Sequence, residues 1–143
     1  MSSDQILTEV VALLTAKFAD AQIEGAREAG FSDLSMRQFI YLDLIGRLSN
    51  PTPTELAKAL QVSKPTVSVA IDHLEEAGYV RKVQSDEDRR SYHLHLSEKG
   101  EQFSRAHANM HRAIVQTMTA GLDESEIAQL TGLMAKVLNH LRE

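Results

Sequence analysis

The sequence predicts a mainly α-helical α+β fold, because helical patterns surround one short β-hairpin. Apolar residues recur at helical spacing over most of the chain. Between Thr52 and Gly100 the order changes to a helix, a short turn, a second helix, and two strands around a charged tip. That order is the outline of a winged helix-turn-helix with a two-stranded β-wing. Helices of this motif bind the major groove, so double-stranded DNA is the expected partner.

The N-terminal segment is expected to form two helices. The first runs from Asp4 to about Ala29, and Gly30 is a natural stop. The second begins at Ser35, which forms a capping box with Gln38 three residues later. Its apolar residues, expected to support the winged unit, are Ile40, Leu44, Ile45 and Leu48.

The central helix pair is marked by its caps. Thr52 can cap the first helix, with Pro53 at its first position and Glu55 able to bond back to the cap. After a turn at residues 61–62, Ser63 offers a second N-cap, and Gly78 ends the second helix. The first helix is too short to be stable alone, so the pair must pack together.

The second helix of the pair is the expected recognition helix. The face opposite its apolar stripe carries small, polar or basic side chains, which can approach base edges and phosphates closely. Any amphipathic surface helix also has a polar face, so this pattern alone does not establish DNA contact. The residues expected to bind DNA from this helix are Ser63, Lys64, Pro65, Thr66, Ser68, Val69 and His73.

A β-hairpin is expected next. Residues 79–83 suit a strand, residues 85–88 a polar turn, and residues 91–96 alternate with period two. Tyr92, Leu94 and Leu96 therefore point to one side, and the tip is expected to project. Ser97 can cap the following helix.

The C-terminal region is expected to form two further helices. One runs from Ser97 to Ala120, and Gly121 with Asp123 marks a break. The last helix has apolar residues at alternating steps of three and four, the spacing of a helix-packing seam. They are Ile127, Leu130, Met134, Val137 and Leu141. This seam either folds back on its own domain or packs against a second copy.

Three segments carry a family resemblance. Residues 74–80 (LEEAGYV), 88–90 (DRR) and 94–100 (LHLSEKG) resemble the core signature of MarR-type transcriptional regulators. The resemblance implies one domain over residues 1–143, with dimerisation helices at 1–30 and 101–143 and a DNA-binding region at 35–100. It further implies a homodimer that binds pseudo-palindromic operators, most often a repressor relieved by a small-molecule effector.

The resemblance also implies roles for the wing residues Asp88, Arg89 and Arg90. Arg90 matches the arginine that enters the minor groove, and Asp88 matches the carboxylate that orients it; the alternative is a surface ion pair. Val69 departs from the family pattern, because an arginine is frequent there. The acidic tip, formed by Asp86, Glu87 and Asp88, predicts fewer phosphate contacts and a shallower salt dependence than is usual for the family.

Composition narrows the remaining possibilities. The 143 residues carry a net charge of −5, but a basic cluster lies in the central unit and comprises Lys58, Lys64, Arg81, Lys82, Arg89 and Arg90. Without cysteine there is no disulfide, thiolate zinc site or thiol redox switch. No apolar run long enough for a membrane span and no secretory signal is found, so a cytoplasmic location is expected. No cofactor motif or catalytic constellation appears, and the sequence predicts neither an enzyme nor a bound cofactor.

Two alternatives remain open on the residues alone. His107 and His111 have a helical i, i+4 spacing that suits a zinc-responsive regulator, but two ligands are not a complete site, and no metal site is predicted. A winged helix used only for protein interaction would explain the acidic charge.

The resemblance also suggests an effector pocket between the dimerisation helices and the winged unit. The side chains that would line it are Phe18, Met36, Phe39, Tyr41 and those of residues 103–110. Side chains of these types more often belong to an ordinary hydrophobic core.

Overall fold

The computed structural model describes residues 1–31 and 33–143 and confirms a mainly helical fold with one antiparallel hairpin. The elements are α1 (Ser3–Glu28), α2 (Met36–Leu48), α3 (Pro53–Leu60), α4 (Lys64–Glu76), β1 (Val80–Gln84), β2 (Tyr92–Leu96), α5 (Glu98–Thr119) and α6 (Glu124–Leu141). Within the described residues, none of the helices is both long and apolar enough to cross a bilayer.

Side-chain caps fix where the helices begin. Ser35 and Thr52 form the expected capping boxes, and Ser63 and Ser97 cap α4 and α5. Each cap oxygen accepts a hydrogen bond from a backbone amide that has no partner within the helix. Asp123 caps α6 in the same way, directly after the expected break. The predicted caps are confirmed.

Residues with a positive φ angle end both helices of the helix-turn-helix. Gln61 ends α3 at φ 54°, and the amide of Val62 donates to the carbonyl of Ala57 at 3.1 Å. Gly78, at φ +84°, ends α4, where the amide of Tyr79 donates to the carbonyl of Leu74 at 2.9 Å. The first turn joins α3 to α4, and the second leads from α4 directly into the wing.

The expected hairpin is present, and its register places Val80 opposite Leu96 and Lys82 opposite Leu94. Leu94 is fully buried, and its amide donates to the carbonyl of Pro51 at 2.8 Å. The segment before α3 thereby adds a hydrogen bond to the inner strand, and the wing is tied to the helix pair.

One core joins the winged unit to α2 and the start of α5. Its buried apolar residues are Phe31, Phe39, Tyr41, Leu42, Ile45, Leu56, Ala57, Val67, Ile71, Leu74, Tyr79, Val80, Leu94 and Phe103. The expectation that Ile40 and Leu48 support this core is wrong, because their exposed fractions are 51% and 42%. Both lie at the edge of the α2 stripe, where neighbouring elements do not cover them; Ile45 is buried as expected.

Gly100, in the first turn of α5, permits the closest approach in this core. A Cβ at this position would overlap the backbone carbonyl oxygen of Tyr79 and press on the side chain of Leu96. Since backbone cannot move as a side-chain tip can, any larger residue must displace α5 from the wing.

Replacing Gly100 with alanine is therefore expected to lower the free energy of unfolding by about 2 kcal/mol, measured by urea denaturation. Gly25→Ala is the matched control, because a Cβ at Gly25 in α1 meets nothing within 4 Å. Its stability should equal or exceed that of the parent. Equal stability of Gly100→Ala and the parent would contradict the close packing of α5 on the wing.

Candidate nucleic-acid interface

The exposed face of α4 carries most of the residues expected to bind DNA. Lys64, Pro65 and His73 are exposed, and Val69 is 57% exposed. An exposed valine among polar residues offers a contact for the methyl group of thymine, which only the major groove displays. The structure thus brings the predicted recognition residues onto one surface.

Ser63 and Thr66 have a structural task as well. The Ser63 hydroxyl accepts from the Thr66 amide at 3.3 Å, and the two hydroxyl oxygens lie 2.7 Å apart. Capping already uses part of their hydrogen-bonding capacity, so their remaining contribution to DNA contact is smaller than that of the fully exposed side chains. Ser68 is half-buried.

The wing tip is an ordered loop between β1 and β2. The amide of Ser85 donates to the carbonyl of Ser91 at 3.0 Å, and the Gln84 side chain donates to the carbonyl of Arg89 at 2.7 Å. Arg89 and Arg90 are exposed at this tip. Their positions are therefore set by backbone hydrogen bonds, which lowers the entropy that binding would otherwise cost.

Asp88 organises the backbone at Arg90. Its Oδ1 atom accepts from the Arg90 amide at 2.9 Å, which is an Asx-type turn. Within the described residues no ion pair joins the Asp88 carboxylate to the Arg90 guanidinium, which stays exposed. In the absence of DNA, Asp88 orients the chain at Arg90, whereas the resemblance implied that it orients the side chain.

Lys82 differs from its expected role as part of the basic cluster. Its ammonium lies 2.6 Å from Asp72 and 3.2 Å from Glu75, both on α4. The hydrogen bond that Lys82 donates to Asp72 is the main cause of a raised pKa at Lys82, so the residue stays charged but is neutralised by its partners. Across the part of the chain that the structure describes, Lys64, Arg81, Arg89 and Arg90 have no carboxylate partner.

The structure adds residues to this surface that the sequence patterns did not indicate. Ser35, Arg37 and Gln38, at the start of α2, line an open groove together with Thr66, Val69 and His73 of α4. The sequence marked residues 35–38 only as a capping box. No local pattern places the start of α2 beside α4, because that proximity arises from tertiary packing.

His107 and His111, the two histidines of the zinc alternative, are in direct contact. Nε2 of His107 and Nε2 of His111 lie 3.0 Å apart, a hydrogen-bond distance, and His107 Nε2 is 3.7 Å from Asp43. His107 also stacks on Phe103, with ring centroids 5.6 Å apart. Among the described residues no group of three potential metal ligands is present.

Burial lowers the pKa of His107, and the nearby His111 and Arg47 lower it further, while Asp43 opposes the shift. An unfolded histidine takes up its proton near pH ~6.5, so below that pH the unfolded chain binds more protons than the folded chain. The contribution of neutral His107 to the free energy of unfolding is therefore fully present above that pH, and it declines as the pH falls towards the lowered pKa.

The expected result is a lower melting temperature at about pH 5.5 than at about pH 7.5, with a smaller difference in His107→Gln, which has no titrating group there. Thermal unfolding of both proteins at one protein concentration measures this. An identical pH dependence in the two proteins would remove His107 as its source.

The residues suggested for an effector pocket separate into different places. Phe39 and Phe103, joined by Phe31 and Met110, line a cavity of about 40 Å³ between α1, α2 and α5. Met36 lines a different groove, and Tyr41 faces α4. Gln22, the one polar residue classed as buried in the described part of the chain, also lines the cavity.

The known proteins that resemble this chain are transcriptional regulators. Residues 32–91 match the sequence model of the MarR family. The chain is 28% identical to the HTH-type transcriptional regulator PecS of Dickeya dadantii over 111 residues, which cover 76% of this chain and 67% of PecS. It is 34% identical to the transcriptional repressor MprA of Escherichia coli over 89 residues, which cover 62% of this chain and about half (51%) of MprA.

Solved structures share the whole fold. FabT of Streptococcus pneumoniae, whose structure was determined in complex with DNA, superimposes with a TM-score of 0.81 at 29% identity, covering 99% of this chain and 98% of FabT. The reduced form of MarR from Escherichia coli gives a TM-score of 0.65 at 26% identity, covering 92% of this chain and 96% of MarR.

Proposed function

We propose that this chain is a transcriptional regulator of the MarR family and a homodimeric repressor of pseudo-palindromic operators. The match of residues 32–91 to the MarR family model supports this proposal, as do the relatives PecS and MprA, which are named as a transcriptional regulator and a transcriptional repressor. The observation that carries this proposal is the surface formed by the exposed face of α4 and the ordered wing tip, which holds Lys64, Val69 and Arg90 outward. A DNA-bound relative of the same fold supports DNA as the partner. A cytoplasmic location is part of the same proposal.

The uncovered apolar surface of the terminal helices supports the dimer. No residue of α6 is buried in the single chain, and Met134, Val137 and Leu141 are exposed. On α1, Ile6, Leu7 and Val10 are exposed as well. Apolar surface of this extent is costly in water, and a second copy would cover both helices. The seam residues of α6 then have the partner that their spacing requires.

A two-fold dimer determines the form of the operator. Two recognition helices related by a dyad fit half-sites about 34–36 Å apart, which is about one turn of B-DNA. Each protomer would place α4 in the major groove and Arg90 in the adjacent minor groove, where a narrow groove attracts an arginine fork. Occupying such an operator would block transcription, as the name of the relative MprA indicates for that protein.

Release by a small-molecule effector is part of the proposal, and the aromatic cavity between α1, α2 and α5 is its candidate place. At about 40 Å³ the cavity holds only a few water molecules, whereas organic ligands occupy ~300–1,000 Å³. An effector would have to separate α2 from α1 and α5. Since α2 packs against α4, that movement would change the spacing of the recognition helices.

Selection from a random duplex library tests the proposal. The full-length protein should enrich a sequence with dyad symmetry whose half-sites are about one helical turn apart. Inserting about five base pairs between the half-sites rotates one by half a turn and should abolish tight binding. Enrichment of an asymmetric sequence would contradict the dimer, and no enrichment would contradict sequence-specific binding.

A further inference from the structure

The junction between the recognition helix α4 and the wing is held first by the start of α5. The hydroxyl of Ser97 donates to the carbonyl of Gly78 at 2.5 Å, and its amide donates to the carbonyl of Tyr79 at 2.9 Å. The ammonium of Lys99 donates to the carbonyl of Ala77 at 3.2 Å. These bonds satisfy carbonyls for which the end of α4 supplies no helical partner. The end of the recognition helix is therefore tied to α5.

A side-chain bond of Tyr79 holds the same junction from the opposite end of the sequence. Tyr79 is fully buried, and its hydroxyl donates to Oδ1 of Asp33 at 2.8 Å. Asp33 lies between α1 and α2. Within the described part of the chain, no other side-chain hydrogen bond joins residues 29–35 to the elements from α3 to β2. This one bond therefore links the segment after α1 directly to the end of α4.

The surroundings of this bond keep its donor and acceptor fixed. Burial is the main cause of a raised pKa at Tyr79, and the hydrogen bond to Asp33 raises that pKa further. The hydroxyl therefore stays protonated and remains the donor. The ammonium of Lys99 lies 4.2 Å from the centroid of the Tyr79 ring and 4.0 Å from Oδ2 of Asp33. It attracts both groups and so supports their contact.

Phe31 connects the junction to α1 and to the aromatic cavity. Its amide donates to the carbonyl of Ala26, in α1, at 2.6 Å. Its ring is buried, with its centroid 6.0 Å from that of Tyr79 and 5.7 Å from that of Phe103. The same ring lines the cavity between α1, α2 and α5. Aromatic packing brings the end of α1 close to the end of α4, and the directional bond to Asp33 then sets their relative orientation.

We infer that Tyr79 is a positioning residue for operator binding, because its hydrogen bond to Asp33 fixes the recognition helix relative to α1. The inference rests on the proposed function, in which α1 belongs to the dimer interface and the two recognition helices must match the spacing of the half-sites. A fixed orientation lowers the entropy that binding would otherwise cost. Since Tyr79 is buried, it acts through α4 and not by touching DNA.

The first measurement is an anisotropy titration of full-length Tyr79→Phe, which keeps the ring and removes only the hydroxyl. The probe is the duplex enriched by the selection described above. Affinity should fall roughly tenfold, since one hydrogen bond changes an equilibrium by a factor of about three to ten and a dimer loses two. The slope of log affinity against log salt should stay that of the parent, because no phosphate contact is lost.

The second measurement is the distance between the two recognition helices of the dimer without DNA. The chain has no cysteine, so Glu76→Cys, at an exposed position of α4, gives one spin-labelling site in each protomer. Pulsed dipolar spectroscopy should show a broader distance distribution when Tyr79→Phe is added to the labelled protein. A role confined to stability would lower the melting temperature and leave this distribution unchanged.

Tyr41→Phe is the matched control, because it removes another buried tyrosine hydroxyl, one without a hydrogen-bond partner in the described structure. Its affinity and distance distribution should equal those of the parent. Asp33→Ala should reproduce Tyr79→Phe, whereas Asp33→Asn, whose amide oxygen can still accept, should stay close to the parent. The double variant Tyr79→Phe/Asp33→Ala should bind no more weakly than either single variant, since all three lack the same bond.

Parent-like affinity or a parent-like distance distribution in Tyr79→Phe, with parent binding intact, overturns this inference alone. Additive losses in the double variant overturn it too, because the two side chains would then act separately. A lower salt slope in Tyr79→Phe would mean a lost phosphate contact and contradicts a positioning role. Absence of duplex binding by the parent overturns the proposed function together with the inference.

Discussion

Replacing Arg90 with alanine is expected to weaken operator binding by roughly a hundredfold or more. Each minor- or major-groove arginine contact contributes ~1–3 kcal/mol, and a dimer loses two of them at once. The effect is large because the wing backbone is already ordered: Asp88 accepts from the Arg90 amide, and Gln84 donates to the carbonyl of Arg89. Anisotropy titration of the operator with parent and variant measures the loss.

Arg90 lies at an exposed tip, so the substitution should leave the melting temperature and the dimer unchanged. Arg105→Ala serves as the control of equal charge, because it removes an exposed arginine of α5 that lies outside the wing tip. Parent-like operator affinity in Arg90→Ala would exclude the wing tip from the interface. A loss of affinity accompanied by unfolding would instead mean that Arg90 supports the wing, contrary to its exposure.

Placing a charge at Val137 is expected to separate the protomers and to lower operator affinity by roughly a hundredfold or more. Val137 is 47% exposed in the single chain, so an aspartate there costs little within the protomer. In the proposed dimer the same carboxylate would be buried without a partner, which is strongly unfavourable. Operator affinity follows because a bivalent protein loses ~10²–10⁴ in affinity when only one module can bind.

Asn139→Asp is the matched control, since it adds the same charge to α6 two residues further on, at a polar position on the opposite side of the helix. Light scattering at a series of concentrations reports the mass of each protein. Val137→Asp should be monomeric and folded, and Asn139→Asp dimeric. A full dimer in Val137→Asp would place the interface elsewhere.

Local signals in the sequence were sufficient for the elements of the fold. Capping residues such as Ser35, Thr52 and Ser63 act within one helical turn, so their effect is visible in the sequence and confirmed in the structure. The second strand of the hairpin is equally local, because the alternation of Tyr92, Leu94 and Leu96 already indicates it, and Leu94 is buried in the structure.

Features that depend on distant residues were not predictable. Lys82 is neutralised by Asp72 and Glu75 from another element, and the sequence gives no indication of that proximity. Ile40 fits a helical stripe, yet the stripe does not show how far its neighbours extend over it. The groove beside Arg37 is of the same kind, since helical spacing defines faces and tertiary packing decides which faces meet.

The central claim is sequence-specific binding of duplex DNA, and one titration tests it most directly. Labelled duplexes tiled from the DNA upstream of the gene encoding this chain are titrated with the full-length protein, with nonspecific competitor and over a salt series. The expected result is tight, competitor-resistant and salt-sensitive binding to one tile. Weak binding of equal strength to every tile, abolished by competitor, would contradict an operator in its own upstream DNA and favour a distant target or a winged helix that binds proteins.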